Sequence, residues 1–127
     1  MTVPDQITRT RYATVTTYRR DGRPVPTPVG VVAHGGELFV LTQRDSGKVK
    51  RIRNNPSVEV TPCDMNGRIA AGALTVEGRA RLLDRAETAQ VRRLMARRFP
   101  IVRLVFLFDL LLGRRNLKIG IAIALGS

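Results

Sequence analysis

Cysteine, histidine and tryptophan are what this chain has least of, and its acidic side chains are outnumbered by basic ones. The single cysteine, Cys63, excludes an internal disulfide and fits a reducing cytoplasm. One histidine and one cysteine cannot build a structural zinc site of the usual spacing, and no metal is expected. Serine–histidine–acid catalysis would have to use His34, which sits in the turn-like His34-Gly35-Gly36 and reads as solvated. No catalytic constellation is therefore expected. Tryptophan is absent, with four Phe and two Tyr, so the aromatic interleaving of single-strand binders is missing. Helix-turn-helix and RNA-recognition signatures are missing too, and no nucleic-acid partner is expected. The first ten residues hold no apolar h-region, so no secretory leader is expected. No apolar run reaches the roughly 20 residues that span a bilayer.

Basic side chains are abundant: 22 Lys and Arg stand against 10 Asp and Glu, a net charge of +12. Such a balance calls for an anionic partner, whether nucleic acid, a membrane surface or a polyanionic small molecule. At 127 residues and 43% hydrophobic, the chain suits one globular domain over residues 1–127.

Residues 1–9 read as a short leading arm with one helical turn. Arg11 to Tyr18, rich in Thr, Val and Tyr, reads as a strand. Arg20-Asp21-Gly22-Arg23 follows as a hairpin turn in which Asp-Gly supplies positive φ angles. Pro24 to Ala33 reads as the second strand and Glu37 to Thr42 as the third, completing an antiparallel meander. A helix from Ser46 to Asn54 precedes a strand from Ser57 to Cys63, then a turn around Asn66-Gly67. Ala70 to Leu83 reads as one long strand, with Gly72 and Gly78 as bulge or bend points. Asp84 caps a helix to about Arg98, with Val91, Leu94 and Met95 on its apolar face. Ile119 to Leu125 reads as a buried strand.

Two stretches point to a ligand. The first is Thr42 to Pro56, TQRDSGKVKRIRNNP. Ser46 is an N-cap candidate, since its hydroxyl can accept a backbone N–H of the first turn. Lys48 and Arg51, three apart, share a face near the helix start. Cations there oppose the helix dipole, so their presence suits an anion, phosphate above all. A solvated basic face is the other reading. The second stretch is Pro24-Val25-Pro26-Thr27-Pro28-Val29-Gly30. Prolines at alternate positions remove N–H groups along one side, so no strand can pair there. That is either a protected edge or an open one that admits a planar ligand at Thr27 to Gly30.

Residues Phe99 to Leu112, FPIVRLVFLFDLLL, are apolar nearly all round. They read as a helix buried at a subunit interface or against the barrel. A shallow membrane-docking helix flanked by Arg97, Arg98, Arg114 and Arg115 is the alternative.

YATVTTYRRDGRP, then PTPVGVV, then LFVLTQRDSGKVKRIRNNPSVEV together resemble the flavin and deazaflavin oxidoreductases of the pyridoxamine-phosphate-oxidase-like split β-barrel superfamily. They look closest to the coenzyme F420-dependent enzymes of actinobacterial type. The resemblance covers Tyr12 to Leu83 best, and its most specific part is SGKVKRIRNNP. It implies a mainly β fold with flanking helices, a six-stranded antiparallel split barrel that forms a homodimer with cofactor grooves at the interface. It implies that Thr42, Gln43, Arg44, Ser46, Gly47, Lys48 and Arg51 hold the cofactor phosphate. Thr27, Pro28, Val29 and Gly30 would lie beside the tricyclic ring. The cofactor implied is F420, with FMN as the alternative. F420 carries a phosphodiester and an oligoglutamate tail, and scattered cations would steer such a polyanion. The expected function is hydride transfer between reduced F420 and a small, planar, apolar acceptor. An FMN-dependent enzyme of the same fold and a cofactor-binding protein with little turnover are the alternatives. Acceptor protonation would come from solvent, Tyr12, Tyr18 or a nearby Arg.

Overall fold

Period-two alternation builds the frame. In β1 (Tyr12–Tyr18), Ala13, Val15 and Thr17 are buried, and in β4 (Glu37–Gln43) Leu38 and Val40 are. The computed structural model describes residues 4–101, 104, 107, 111–112 and 118–126. Its other elements are α1 (Asp5–Arg9), β2 (Pro24–Gly30), β3 (Val32–His34), α2 (Gly47–Asn54), β5 (Ser57–Cys63), β6 (Val76–Leu82), α3 (Arg85–Arg98) and β7 (Lys118–Leu125). All strands join one antiparallel sheet of seven, in the order β2-β1-β5-β6-β7-β4-β3.

Seven strands stand where six were expected, and the reason is local. The expected strand from Pro24 to Ala33 is present but bends at Val31. Its first part pairs with β1 and its last part with β4. One continuous stretch of chain thus forms both ends of the sheet and curls it into the split barrel. Val31 is fully buried at the bend, and its N–H donates to the Arg11 carbonyl at 3.0 Å. Inside the curl, Val15, Val31, Leu38, Val40, Val58, Val60, Ile121 and Ile123 form the main core, with Ile7 of α1 at its end. A second core lies outside the sheet, where Val91 and Met95 of α3 pack on Ala122, with Phe39, Leu41 and Phe99 around them.

The alternate prolines sit as their missing N–H groups require. β2 is an edge strand, registered with β1 from Tyr12↔Gly30 to Tyr18↔Pro24. Three other expectations are corrected. The strand read from Ala70 to Leu83 is only Val76–Leu82. Residues 70–75 are loop, because small, unbranched Ala70, Ala71 and Ala73 favour no strand and Gly72 turns at φ +82°. Ala73 N–H closes that turn on the Ala70 carbonyl, and Leu74 N–H is held by Gln6 Oε1. In the first hairpin only Gly22 has positive φ. Its N–H bonds to the Arg19 carbonyl, so Arg19 to Gly22 form a four-residue turn closed by a left-handed glycine.

Phe99 to Leu112, expected as a helix buried at a subunit interface or against the barrel, is not covered by the barrel from Ile101 on where it is described. Residues 102, 103, 105, 106 and 108–110 of that stretch lie outside the described residues, as do Arg114 and Arg115. Ile101, Leu104, Leu107 and Leu111 are helical, but they are 51% to 72% exposed rather than covered by the barrel. Among the described residues, no helix is long and apolar enough to cross a membrane.

Candidate functional site

β4 ends at Gln43, and the chain turns at once into α2. Ser46 N–H donates to the Gln43 carbonyl at 3.1 Å, and Ser46 Oγ accepts from Val49 N–H at 3.4 Å. Ser46 has extended φ and ψ of −68° and 157°, as an N-cap needs. Val49 and Ile52 anchor the helix by burial, and its first turn carries no acidic residue.

The same turn buries Lys48, which is 8% exposed. Its Nζ reaches Thr42 Oγ1 at 3.5 Å, a long bond for an ammonium group. Burial, and next the charge of Arg51, hold its pKa below the usual lysine value. Arg51 Nε donates to the buried Thr17 Oγ1 at 2.6 Å. Among the described residues, neither cation forms an ion pair with a carboxylate. Two neighbouring cations with no counter-charge, at a helix start, form a cradle suited to an anion.

Of the phosphate residues expected from sequence, Thr42, Ser46, Gly47, Lys48 and Arg51 converge here. Gln43 and Arg44 are exposed on the neighbouring side: Gln43 pairs with Lys118 of β7, and Arg44 Nη2 donates to the Lys118 carbonyl at 3.5 Å. The four ring residues do not share one face. Val29 and Thr27 register with the inward Ala13 and Val15, whereas Pro28 and Gly30 register with Thr14 and Tyr12 on the other side.

The space that Gly30 leaves is filled by a ring. A Cβ there would lie 3.2 Å from Phe99 Cζ, and Phe99 also meets Tyr12 at a centroid distance of 5.6 Å, tilted 55°. Arg98 secures this corner by donating from Nη2 to the Arg9 and Thr10 carbonyls at 2.8 and 2.9 Å. Beside it opens a cavity of about 260 Å³ lined by Tyr12, Gly30, Leu41, Met95, Phe99, Ile101 and Lys118. Leu41 precedes Thr42 along β4, and Lys118 is the register partner of Gln43, so the cavity lies at the same end of β4 as the basic cradle. Sequence reading missed Leu41, Met95, Phe99 and Lys118 as cavity residues. The one available signal was Phe99, an aromatic residue ending a capped amphipathic helix. Tyr18 stands at the other end of β1 from Tyr12, where burial and then Glu59 raise its pKa. His34 is exposed at the β3–β4 turn, and the described residues hold no cluster that would bind a metal.

The sequence matches the family profile described as pyridoxamine 5'-phosphate oxidase over residues 2–109. No match is found among curated proteins. Among solved structures, the chain is similar to the heme storage protein HutZ of Vibrio cholerae, with TM-score 0.71 and 17% identity, covering 97% of this chain and 87% of that one. It is also similar to an F420 reductase, with TM-score 0.69 and 18% identity, covering 98% and 97%. A FAD-binding protein from Mesorhizobium loti gives TM-score 0.64 and 16% identity, covering 95% and 83%. At these identities the likeness shows a shared fold.

Proposed function

The chain belongs to the pyridoxamine 5'-phosphate oxidase family, and from that premise we propose that it is a coenzyme F420-dependent oxidoreductase. It would move a hydride between the reduced deazaflavin and a small, planar, apolar acceptor. The observation that carries this reading is a carboxylate-free pair at the capped start of α2: the buried Lys48, and the half-buried Arg51 whose guanidinium reaches back to Gly47. That donor set fits a phosphate. Ser46, Lys48 and Arg51 would hold it, with Thr42, Gln43, Arg44 and Gly47 around them. Thr27, Pro28, Val29 and Gly30 would flank the ring.

When bound, the cofactor supplies the hydride chemistry. The chain's own residues bind, orient and exclude water. Leu41, Met95, Phe99 and Ile101 give the adjoining cavity apolar walls that suit an apolar acceptor. FMN is the second reading, because its phosphate would meet the same cations. The net charge of +12 favours F420, whose polyglutamate tail needs cations beyond the phosphate cradle.

The same proposal takes residues 1–127 as one cytoplasmic domain that works as a homodimer. The exposed row Ile101, Leu104, Leu107 and Leu111 supports the dimer, since so much aliphatic surface favours cover. Fluorescence titration with F420 and, separately, FMN tests the assignment. Tight F420 binding with weak FMN binding is expected. The reverse would make the protein a flavoprotein, and binding of neither would overturn the enzyme reading.

A further inference from the structure

Arg51 reaches back along its own helix rather than out into solvent. Its Nε donates to Thr17 Oγ1 at 2.6 Å, and Thr17 is fully buried. Four residues before Arg51 stands Gly47, the first residue of α2. A Cβ added there would lie 2.7 Å from Arg51 Nη1. The guanidinium thus occupies the space that a side chain at position 47 would take. Gly47 has no positive φ, so the backbone itself does not call for glycine. Glycine is also among the poorest residues for a helix. A buried hydroxyl on β1 and a missing methyl on α2 therefore constrain one side chain from two directions. With Nε held by Thr17, the terminal Nη groups remain, and their planar fork matches two oxygens of a phosphate.

We infer that Thr17 and Gly47 are positioning residues that set the Arg51 guanidinium across the start of α2 for two-pronged capture of a phosphate. The inference deepens the cofactor reading above and rests on it. Thr17 orients the guanidinium, and Gly47 leaves it room.

Thr17→Val removes the hydroxyl at nearly constant shape, Thr17→Ser returns it, and Gly47→Ala adds the methyl. Each variant is titrated with F420 and with the deazaflavin chromophore that lacks the phosphate tail; if the wild type prefers FMN, then FMN and riboflavin serve. Thermal unfolding is recorded alongside. Thr17→Val and Gly47→Ala should weaken the phosphate-bearing ligand about tenfold, the loss of one charge-assisted bond. They should leave the phosphate-free ring unchanged. Thr17→Ser should bind as the wild type does, and Gly47→Ala should melt no lower than the wild type. Equal losses for both ligands would overturn the inference by showing a merely structural role. Wild-type binding by Thr17→Val and Gly47→Ala, with Arg51→Ala weakened, would overturn it and leave the cofactor reading standing. Wild-type binding by Arg51→Ala and Lys48→Ala would overturn that reading itself. If Thr17→Val does not fold, Gly47→Ala decides alone.

Discussion

Lys48 is the side chain least suited to its surroundings. A buried ammonium beside a guanidinium, with one distant hydroxyl for company, destabilises the ligand-free fold. Its lowered pKa means that the unfolded chain holds more protons across the alkaline interval below the ordinary lysine value. Stability of the ligand-free protein should therefore rise with pH through that interval. Lys48→Met should abolish the rise and, at neutral pH, stabilise the ligand-free protein by on the order of 1 kcal/mol, read by urea unfolding at a series of pH values. The same variant should lose about 1.5–3 kcal/mol of affinity for the phosphate-bearing cofactor, and an unchanged dissociation constant would remove Lys48 from the site. The Ser46 cap and the nearness of Lys48 to Arg51 were legible in sequence, from a cap residue followed by cations three apart. The burial of Lys48 was not, since lysine by type is expected at the surface. The packing of Phe99 over Gly30 was not legible either: it depends on where the end of α3 lands after the whole sheet has formed.

Among the elements, α3 was the most readable. Asp84 accepts from Glu87 N–H at 2.8 Å while Glu87 Oε1 accepts from Asp84 N–H, a capping box visible as Asp-x-x-Glu before an apolar row. Asp84→Ala should cost about 1 kcal/mol in chemical unfolding. Docking of α3 on β7 uses a contact that no pattern announces. Thr88 Oγ1 accepts from Gly120 N–H at 3.0 Å, and a Cβ at Gly120 would press within 3.0 Å of Leu83 Cδ1. Thr88→Val leaves that buried N–H without its acceptor and should cost about 1–3 kcal/mol, whereas a melting temperature equal to wild type would refute the role. Strand boundaries were legible where side chains alternate, as from Ser57 to Cys63. They failed at Ala70 to Thr75, whose backbone is directed by Gly72 and by a bond to distant Gln6. The bend at Val31 was equally hidden. Pro24 to Ala33 reads as one strand, and the break at Val31 shows only in the change of partner from β1 to β4.

At the scale of the molecule, charge and exposed aliphatic surface govern behaviour. Cofactor affinity should fall as ionic strength rises from low to physiological, because much of the +12 is solvent-screened. A salt-independent dissociation constant would show that the scattered arginines do no steering. Sedimentation at micromolar concentration should give a homodimer, and Leu104→Asp with Leu107→Asp should yield a monomer of unchanged secondary structure. The strands and turns were legible one by one and the split barrel through the family resemblance, while the closure by one bent strand had to be seen. The position of β7 carries a last consequence. It is the final strand of the described chain, yet it lies between β6 and β4 inside the sheet. During synthesis, β3 and β4 are tied to β1 only through the bend at Val31, and the hydrogen bonds that join β4 to β6 through β7 form only after residues 118–125 have been made.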